Sequence, residues 1–311
     1  MADKIIVIAG PTASGKTRLG IELAKAYGGE IVSADSMQVY RRMDIGTAKA
    51  DENERAQAVH HMLDVAEPSE NYSVARYVED AAPICDSILS RGKLPIIVGG
   101  TGLYIESLLA GRTFAKRGDD GVRARLSAEY DEFGGEALYN KLKKADPEAA
   151  ERLHANDKKR KVRALEIFET TGIPMSEHDR LSRLVPPRFD AVKIALTFED
   201  REDLYARIDR RVDIMVQEGL VAEVKKLLDM GLTEAHTAMQ AIGYKELTDA
   251  VLNGSSLDLA IDKIKQESRR YAKRQLSWLR RDSQINWISW KKTPEIDTAV
   301  ALSTNFLKQH M

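Results

Sequence analysis

Eight residues near the start of the chain, Gly10-Pro11-Thr12-Ala13-Ser14-Gly15-Lys16-Thr17, leave it few folds to choose from, because they fit the pattern G-x-x-x-x-G-K-[ST]. They follow the apolar, β-branched run Ile5 to Ala9. They lead into Leu19, Leu23 and Tyr27, spaced i, i+4, i+8, before Gly28-Gly29. Strand, glycine loop and helix in that order predict a parallel strand whose carboxyl end opens onto a helix N-terminus. Glycines let the loop N–H groups turn inward around phosphate oxygens, the helix dipole adds positive potential, Lys16 neutralises charge, and Thr17 is placed to ligate Mg²⁺. The motif therefore predicts a di- or triphosphate ligand and nothing finer.

The same rhythm recurs at Ile31 to Ala34 and Leu94 to Val98, short β-branched runs ended by Asp or Gly. After Gly111 the texture turns to charged, helix-forming sequence: Val122 to Phe133, Glu136 to Lys144, Pro147 to Leu153 and Asp157 to Thr171, separated by glycine and Asp-Pro punctuation. Pro186-Pro187 closes this stretch, Val192 to Phe198 resumes a strand, and helices follow over 203–218, 220–230 and 257–281. The expected fold is α/β, a P-loop NTPase-like parallel sheet flanked by helices, with residues 114–187 as an inserted all-helical domain in a core of 1–113 and 188–311. The 311 residues, 43% of them hydrophobic, suffice to bury such a core.

A single cysteine, Cys85, excludes an intramolecular disulfide, and no zinc-type Cys/His spacing occurs. With no apolar run approaching membrane length, the expectation is a cytoplasmic protein without a membrane or an obligate protein partner. His60-His61 and Asp64 lack a third ligand at suitable spacing and read as structural. Net charge is −1, so contact with a polyanion would have to come from local clusters. Two exist: Lys158, Lys159, Arg160, Lys161 and Arg163, and Lys263 to Arg281 with eight Lys/Arg against Glu267.

The strand Leu94 to Val98 runs into Gly99-Gly100-Thr101-Gly102, without the Asp that completes a nucleotide-hydrolysing site. The acid instead follows the second strand, as Asp35 in Ala34-Asp35-Ser36-Met37-Gln38, at the sheet edge where α/β folds bind ligands. Its plain alternative is a helix N-cap.

Taken in order, GPTASGKT, ADSMQVYRRMDIGTAK, HHMLD, IIVGGTGLY, AIGYKE and RRYAKRQLSWLRRD resemble the bacterial tRNA dimethylallyltransferases (tRNA isopentenyltransferases) over essentially the whole chain. The resemblance implies transfer of a dimethylallyl group from its diphosphate to N6 of adenosine 37, just 3′ of the anticodon, in tRNAs reading codons that start with U. It makes the phosphate loop, Gly10 to Thr17, the cradle of the prenyl diphosphate. Asp35 then suits the base that takes the N6 proton, and Lys16, Mg²⁺ held partly by Thr17, and Arg211 (with Arg207 second) suit the leaving group. Thr101 matches a position lining the reaction channel. Asp35, Ser36, Met37 and Gln38 match the segment that reads the extruded adenine, Gln38 having both donor and acceptor for its edge.

The resemblance also implies an anticodon stem-loop as partner. It points to Arg123, to Lys159, Arg160, Lys161, Val162 and Arg163, and to Gln240, Ala241, Ile242, Gly243, Tyr244 and Lys245 as tRNA contacts. If Lys263 to Arg281 is one helix, Ile264, Tyr271, Ala272, Leu276, Trp278 and Leu279 share one face. Arg269, Arg270, Lys273, Arg274, Arg280 and Arg281 then share the other, free to meet phosphates. Three alternatives stay open on the residues alone: a P-loop kinase of small molecules, an adenylate isopentenyltransferase acting on free AMP or ADP, and a non-catalytic RNA-binding protein.

Overall fold

The computed structural model describes residues 3–112, 120–154 and 156–310. The chain divides into two compact units, Met1–Leu109 with Arg188–Met311, and Ala110–Pro187. The expected boundary at 113/114 lies outside the described residues.

The first unit is built on a six-stranded sheet. Its elements begin β1 (Asp3–Ala9), α1 (Lys16–Tyr27), β2 (Glu30–Ala34), α2 (Glu52–Gln57), β3 (His60–His61), α3 (Val74–Ser90), β4 (Pro95–Gly99) and α4 (Gly102–Ala110). The strand order is β3-β2-β4-β1-β5-β6, where β5 (Phe189–Phe198) and β6 (Asn286–Trp290) come from beyond the second unit, and every pair is parallel. β1 sits between β4 and β5, so both its edges are paired, and both its faces are covered as well: Ile5, Val7 and Ala9 enter one core while Ile6 and Ile8 enter the other. That is why its sequence is a continuous apolar run rather than an alternation. α1 crosses close over the sheet at Gly20, where a Cβ would come within 2.7 Å of Val98 Cγ2. Beyond β5 the unit adds α9 (Arg201–Gln217), α10 (Leu220–Asp229), a 3₁₀ turn, α11 (Tyr244–Asn253), α12 (Leu257–Leu279) and α13 (Ile296–His310).

The second unit is helical: α5 (Asp120–Ala145), α6 (Pro147–Arg152), α7 (Lys158–Thr171) and α8 (Met175–Leu184). α5 breaks at Gly134, whose φ of 80° explains the glycine pair there. Leu126, Leu138, Leu142, Val162 and Leu165 form the core of this unit. Buried Asp146 caps α6 through Ala149 N–H at 2.9 Å and holds Ser176 through N–H at 2.9 Å and Oγ at 2.7 Å.

The edge strand β3 is only two residues long and is tied down by charge. Buried Glu30 accepts from Arg91 at 2.7 and 2.9 Å and from Lys93 at 2.8 Å, and pairs with His61 Nε2 at 2.7 Å. The bidentate Arg91 fork holds the Glu30 carboxyl well below the usual carboxylate range, against the opposing effect of burial. His60 Nδ1 lies 2.8 Å from Ala58 O, so both histidines serve the sheet edge. Because the folded state depresses the Glu30 pKa, its stabilisation is present above the unfolded value near pH 4 and is lost as pH falls further. Glu30→Gln is expected to cost roughly 3 kcal/mol at pH 7, discounted for the half-exposed partners, and less at pH 3. Urea unfolding at the two pH values checks this.

Candidate active site

The carboxyl ends of β1, β2 and β4 meet at a cleft of about 1560 Å³ lined by Thr12 to Thr17 of the phosphate loop, Asp35 to Gln38, Asp44 to Glu52, Glu54, Arg55, Arg207, Arg211, Gln240 to Gly243, Tyr271, Arg274, Gln275, Thr293, Pro294 and Ile296. All belong to the first unit.

The loop residues adopt the shape their glycines allow. Gly10 has φ 151°, where a Cβ would come within 2.8 Å of Leu196 O, and Gly15 is left-handed at φ 90°. Ala13 is also left-handed, at φ 63°. Pro11 O accepts from Lys16 Nζ at 2.6 Å, and Thr12 N–H donates to Gln275 Oε1 at 3.1 Å. Burial, and next the neighbouring Arg211, lower the Lys16 pKa to about 7, with Asp35 opposing. Burial likewise lowers that of Arg211, with Glu54 and Asp35 opposing. Arg211 makes no hydrogen bond or ion pair among the described residues. Arg207 differs: its Nε donates to Ala13 O at 3.2 Å, so part of its guanidinium shapes the loop. Two cations near each other without a carboxylate partner are an anion site in waiting.

Asp35 follows β2 and turns its Oδ1 onto Met37 N–H at 2.9 Å and Gln38 N–H at 3.4 Å, leaving Oδ2 without a hydrogen bond among the described residues. The N-cap alternative is not met, since a turn follows Asp35 and the next helix, α2, is capped by Asp51; one oxygen of Asp35 organises its own turn and the other remains available. Thr101 closes the site from β4: its N–H donates to Ala34 O at 3.1 Å and its Oγ1 accepts from Ser36 N–H at 3.0 Å. The glycines around it bring helix α12 close. A Cβ on Gly100 would lie 2.1 Å from Gln275 Nε2, and one on Gly102 would strike the Trp278 ring at 2.3 Å. Gln275 Nε2 donates to Gly100 O at 3.0 Å, so this buried amide links the phosphate loop to the Gly-Gly-Thr-Gly turn. Burial, and next the negative charge of Asp35, push the Tyr271 phenol up to about 12, so Tyr271 is a neutral hydroxyl at neutral pH.

Several expected contacts are placed differently. The Gln38 amide is engaged inside the protein, Nε2 donating to Thr47 O at 3.1 Å and Ala48 O at 3.2 Å while Oε1 accepts from Ser33 Oγ at 3.0 Å, so it shapes the pocket wall rather than presenting a free edge to adenine. Lys161 is fully buried, its Nζ donating to Gly135 O at 2.7 Å, and Val162 is buried beside it. Neither side chain presents itself to a phosphate. A basic run on a helix must turn some members inward every 3.6 residues. Lys159 and Arg160 are exposed; Arg123 and Arg163 share buried Glu166 at 3.2 and 3.1 Å. In the segment Gln240 to Lys245, Gln240 and Lys245 are exposed, Ile242 is half-buried, and Ala241, Gly243 and Tyr244 are buried. The Tyr244 hydroxyl donates to Glu223 Oε1 at 2.5 Å, and Glu223 also accepts the N–H groups of Asp44, Ile45 and Gly46 at 2.9, 2.9 and 3.1 Å. Tyr244 thus anchors the wall formed by Asp44 to Ala48. On α12, Lys273 and Arg274 are exposed, as are Arg280 and Arg281 just beyond it, whereas Arg270 is paired with Glu267 at 2.6 Å and Arg269 with Asp209 at 2.6 Å.

Gln275 and Glu223 escaped the sequence reading; a polar residue on an otherwise apolar helix face was the only sign of Gln275. For Lys16 the sign of the pH dependence follows from its lowered pKa. Between about pH 7 and the unfolded value near 10.5 the unfolded chain holds the extra proton, so stability rises with pH across that window. Lys16→Met is expected to raise Tm, most at pH 7 and below and progressively less toward pH 10, while abolishing affinity for pyrophosphate. Thermal scans across pH, without ligand, check it.

The family described as IPP transferase matches residues 38–282, and the family described as isopentenyl transferase matches 3–65. A tRNA dimethylallyltransferase of Acetivibrio thermocellus is 50% identical over 288 residues, covering 92% of each chain. That of Caldanaerobacter subterraneus is 46% identical over 289 residues, again covering 92% of each. The crystal structure of a tRNA isopentenylpyrophosphate transferase from Bacillus halodurans superposes with a TM-score of 0.72 at 41% identity, covering 99% of this chain and 97% of the other. A eukaryotic dimethylallyltransferase acting on tRNA superposes with a TM-score of 0.84 at 31% identity, covering 99% and 80%. Half-identical to such a relative over nine-tenths of both chains, this chain belongs to the tRNA dimethylallyltransferase family.

Proposed function

We propose that this chain transfers a dimethylallyl group from dimethylallyl diphosphate to N6 of adenosine 37 in tRNAs reading codons that start with U, releasing diphosphate. One observation carries the reading: Lys16 and Arg211, cations without a carboxylate partner, line the same cleft as the carboxylate of Asp35. Transfer to an exocyclic amine needs both, because the amine lone pair is delocalised into the ring and the leaving group must be strongly stabilised.

In the reaction the N6–carbon bond forms as the carbon–oxygen bond to diphosphate breaks. Asp35 Oδ2 takes the N6 proton, held in place by the two N–H groups on Oδ1. The diphosphate departs onto the loop N–H groups, Lys16 and Arg211, which becomes the preferred arginine because Arg207 is partly engaged with Ala13. Bound diphosphate also restores the Lys16 proton that burial weakens. Thr101 and Ser36 hold the channel between the two substrates. The Thr17 hydroxyl, beside the anion loop, fits Mg²⁺ of the kind held largely by substrate phosphates. Such an ion would share the charge of the leaving diphosphate.

The anticodon stem-loop would lie against the exposed cations of α12, which position it, while the walls of the cleft receive the extruded base. No helix among the described residues is long and apolar enough to cross a membrane, and a cytoplasmic location is part of this proposal, as suits a tRNA substrate.

Purified protein is expected to move label from dimethylallyl diphosphate to an anticodon stem-loop carrying A36-A37, and Asp35→Asn to lower kcat about 10²-fold or more with unchanged tRNA affinity. No transfer by the wild type sinks the reading, and a loss confined to KM removes Asp35 from the role of base. Removing Lys273 and Arg280 is expected to reduce the slope of log affinity against log salt by about one for each phosphate left without its cation, whereas Lys161→Met leaves that slope unchanged. Filter binding over a salt series checks both.

A further inference from the structure

The phosphate loop is held open from outside by side chains of distant elements, and one of them has no part in the roles described so far. Trp290, the buried last residue of β6, donates its indole Nε1–H to Ser14 O at 2.9 Å. No described peptide bond is cis, so the N–H of each loop residue points opposite to the carbonyl before it. Pro11 O is taken by Lys16, and the N–H on the other side of that peptide goes to Gln275. Ala13 O is taken by Arg207, which turns Ser14 N–H the other way. Ser14 O is taken by Trp290, which turns Gly15 N–H the other way. Neither of those two N–H groups has a partner among the described residues, the condition for a backbone anion nest.

Gly15 is the joint most in need of such a hold. It sits at φ 90°, ψ 13°, and glycine lets this peptide rotate at little cost. The segment after β6 reinforces the hold: Pro294 and Ile296 lie 3.4 and 3.7 Å from where a Gly15 Cβ would be. Trp290 lies beyond both stretches matched by the family models, 3–65 and 38–282.

We infer that Trp290 is a positioning residue for the diphosphate, acting through the Ser14–Gly15 peptide: its N–H fixes the carbonyl outward and so presents Gly15 N–H to the anion. The inference rests on the reading of the loop as a diphosphate cradle. It concerns donor binding and not tRNA binding, since Trp290 reaches only the back of the loop.

The test uses the full chain with inorganic pyrophosphate as calorimetric probe. Wild type is compared with Lys16→Met, Trp290→Phe, and a protein with benzothienylalanine at position 290, which keeps the two-ring outline and lacks the N–H. Both position-290 variants are expected to bind pyrophosphate about five- to tenfold more weakly, the loss of one backbone-orienting hydrogen bond. The KM for dimethylallyl diphosphate should rise by the same factor, with kcat at saturating donor and the KM for tRNA unchanged. Pyrophosphate affinity within twofold of wild type in the benzothienylalanine protein overturns the inference. So does a parallel loss of kcat and of tRNA binding in that protein, which marks a general structural role. If wild type binds no pyrophosphate, or Lys16→Met binds it equally well, the diphosphate reading of the loop fails first and this inference falls with it.

Discussion

Two positive charges placed near one another with no negative charge between them are expensive, and the first unit is arranged to keep Lys16 and Arg211 in that state. Burial and mutual repulsion pull the Lys16 pKa down to about 7. A nearby carboxylate in direct contact would relieve the cost and fill the site. Instead Asp35 affects both cations from across the cleft without an ion pair to either, with one oxygen committed to its own turn. The core strands, buried on both faces, supply the stability that this arrangement consumes.

The same separation explains the chemistry. A base must not be neutralised by the cations that stabilise the leaving group, and those cations must not be satisfied before the substrate arrives. β1, β2 and β4 lie side by side in the sheet, so their carboxyl ends deliver the loop, Asp35 and Thr101 at fixed spacing. The walls of the cleft are anchored independently, by Glu223 under Asp44 to Gly46 and by Gln275 between the loop and the Gly-Gly-Thr-Gly turn. Rigid walls spare the bound base the cost of ordering them.

What the sequence disclosed followed contiguity. The phosphate loop, Asp35 and Thr101 were legible because each lies directly after a strand run, where a local pattern and the α/β rule fix the position. The parallel sheet was legible from its β-branched runs, but β3 and β6 were not: β3 has two residues, and β6 has Ile288 as its one β-branched residue. The inward turn of Lys161 and the anchoring role of Tyr244 were hidden because a run of residue types does not say which members face the core. Gln38, expected to read a base, spends its amide on Ser33, Thr47 and Ala48, a bond set that depends on a loop ten residues away. Trp290 and Glu223 act across 276 and more than 170 residues of chain, beyond any local pattern.

The parallel order of the strands has a consequence for synthesis. β1 ends at Ala9, but one of its two neighbours, β5, begins only at Phe189, and the indole that props its loop arrives at Trp290. A nascent chain therefore carries the glycine loop with one side of β1 unpaired until β5 has been made. The donor site is finished from its far end: a ribosome that stalls before β6 releases a molecule bearing Lys16, Asp35 and Thr101 but lacking the prop behind Ser14.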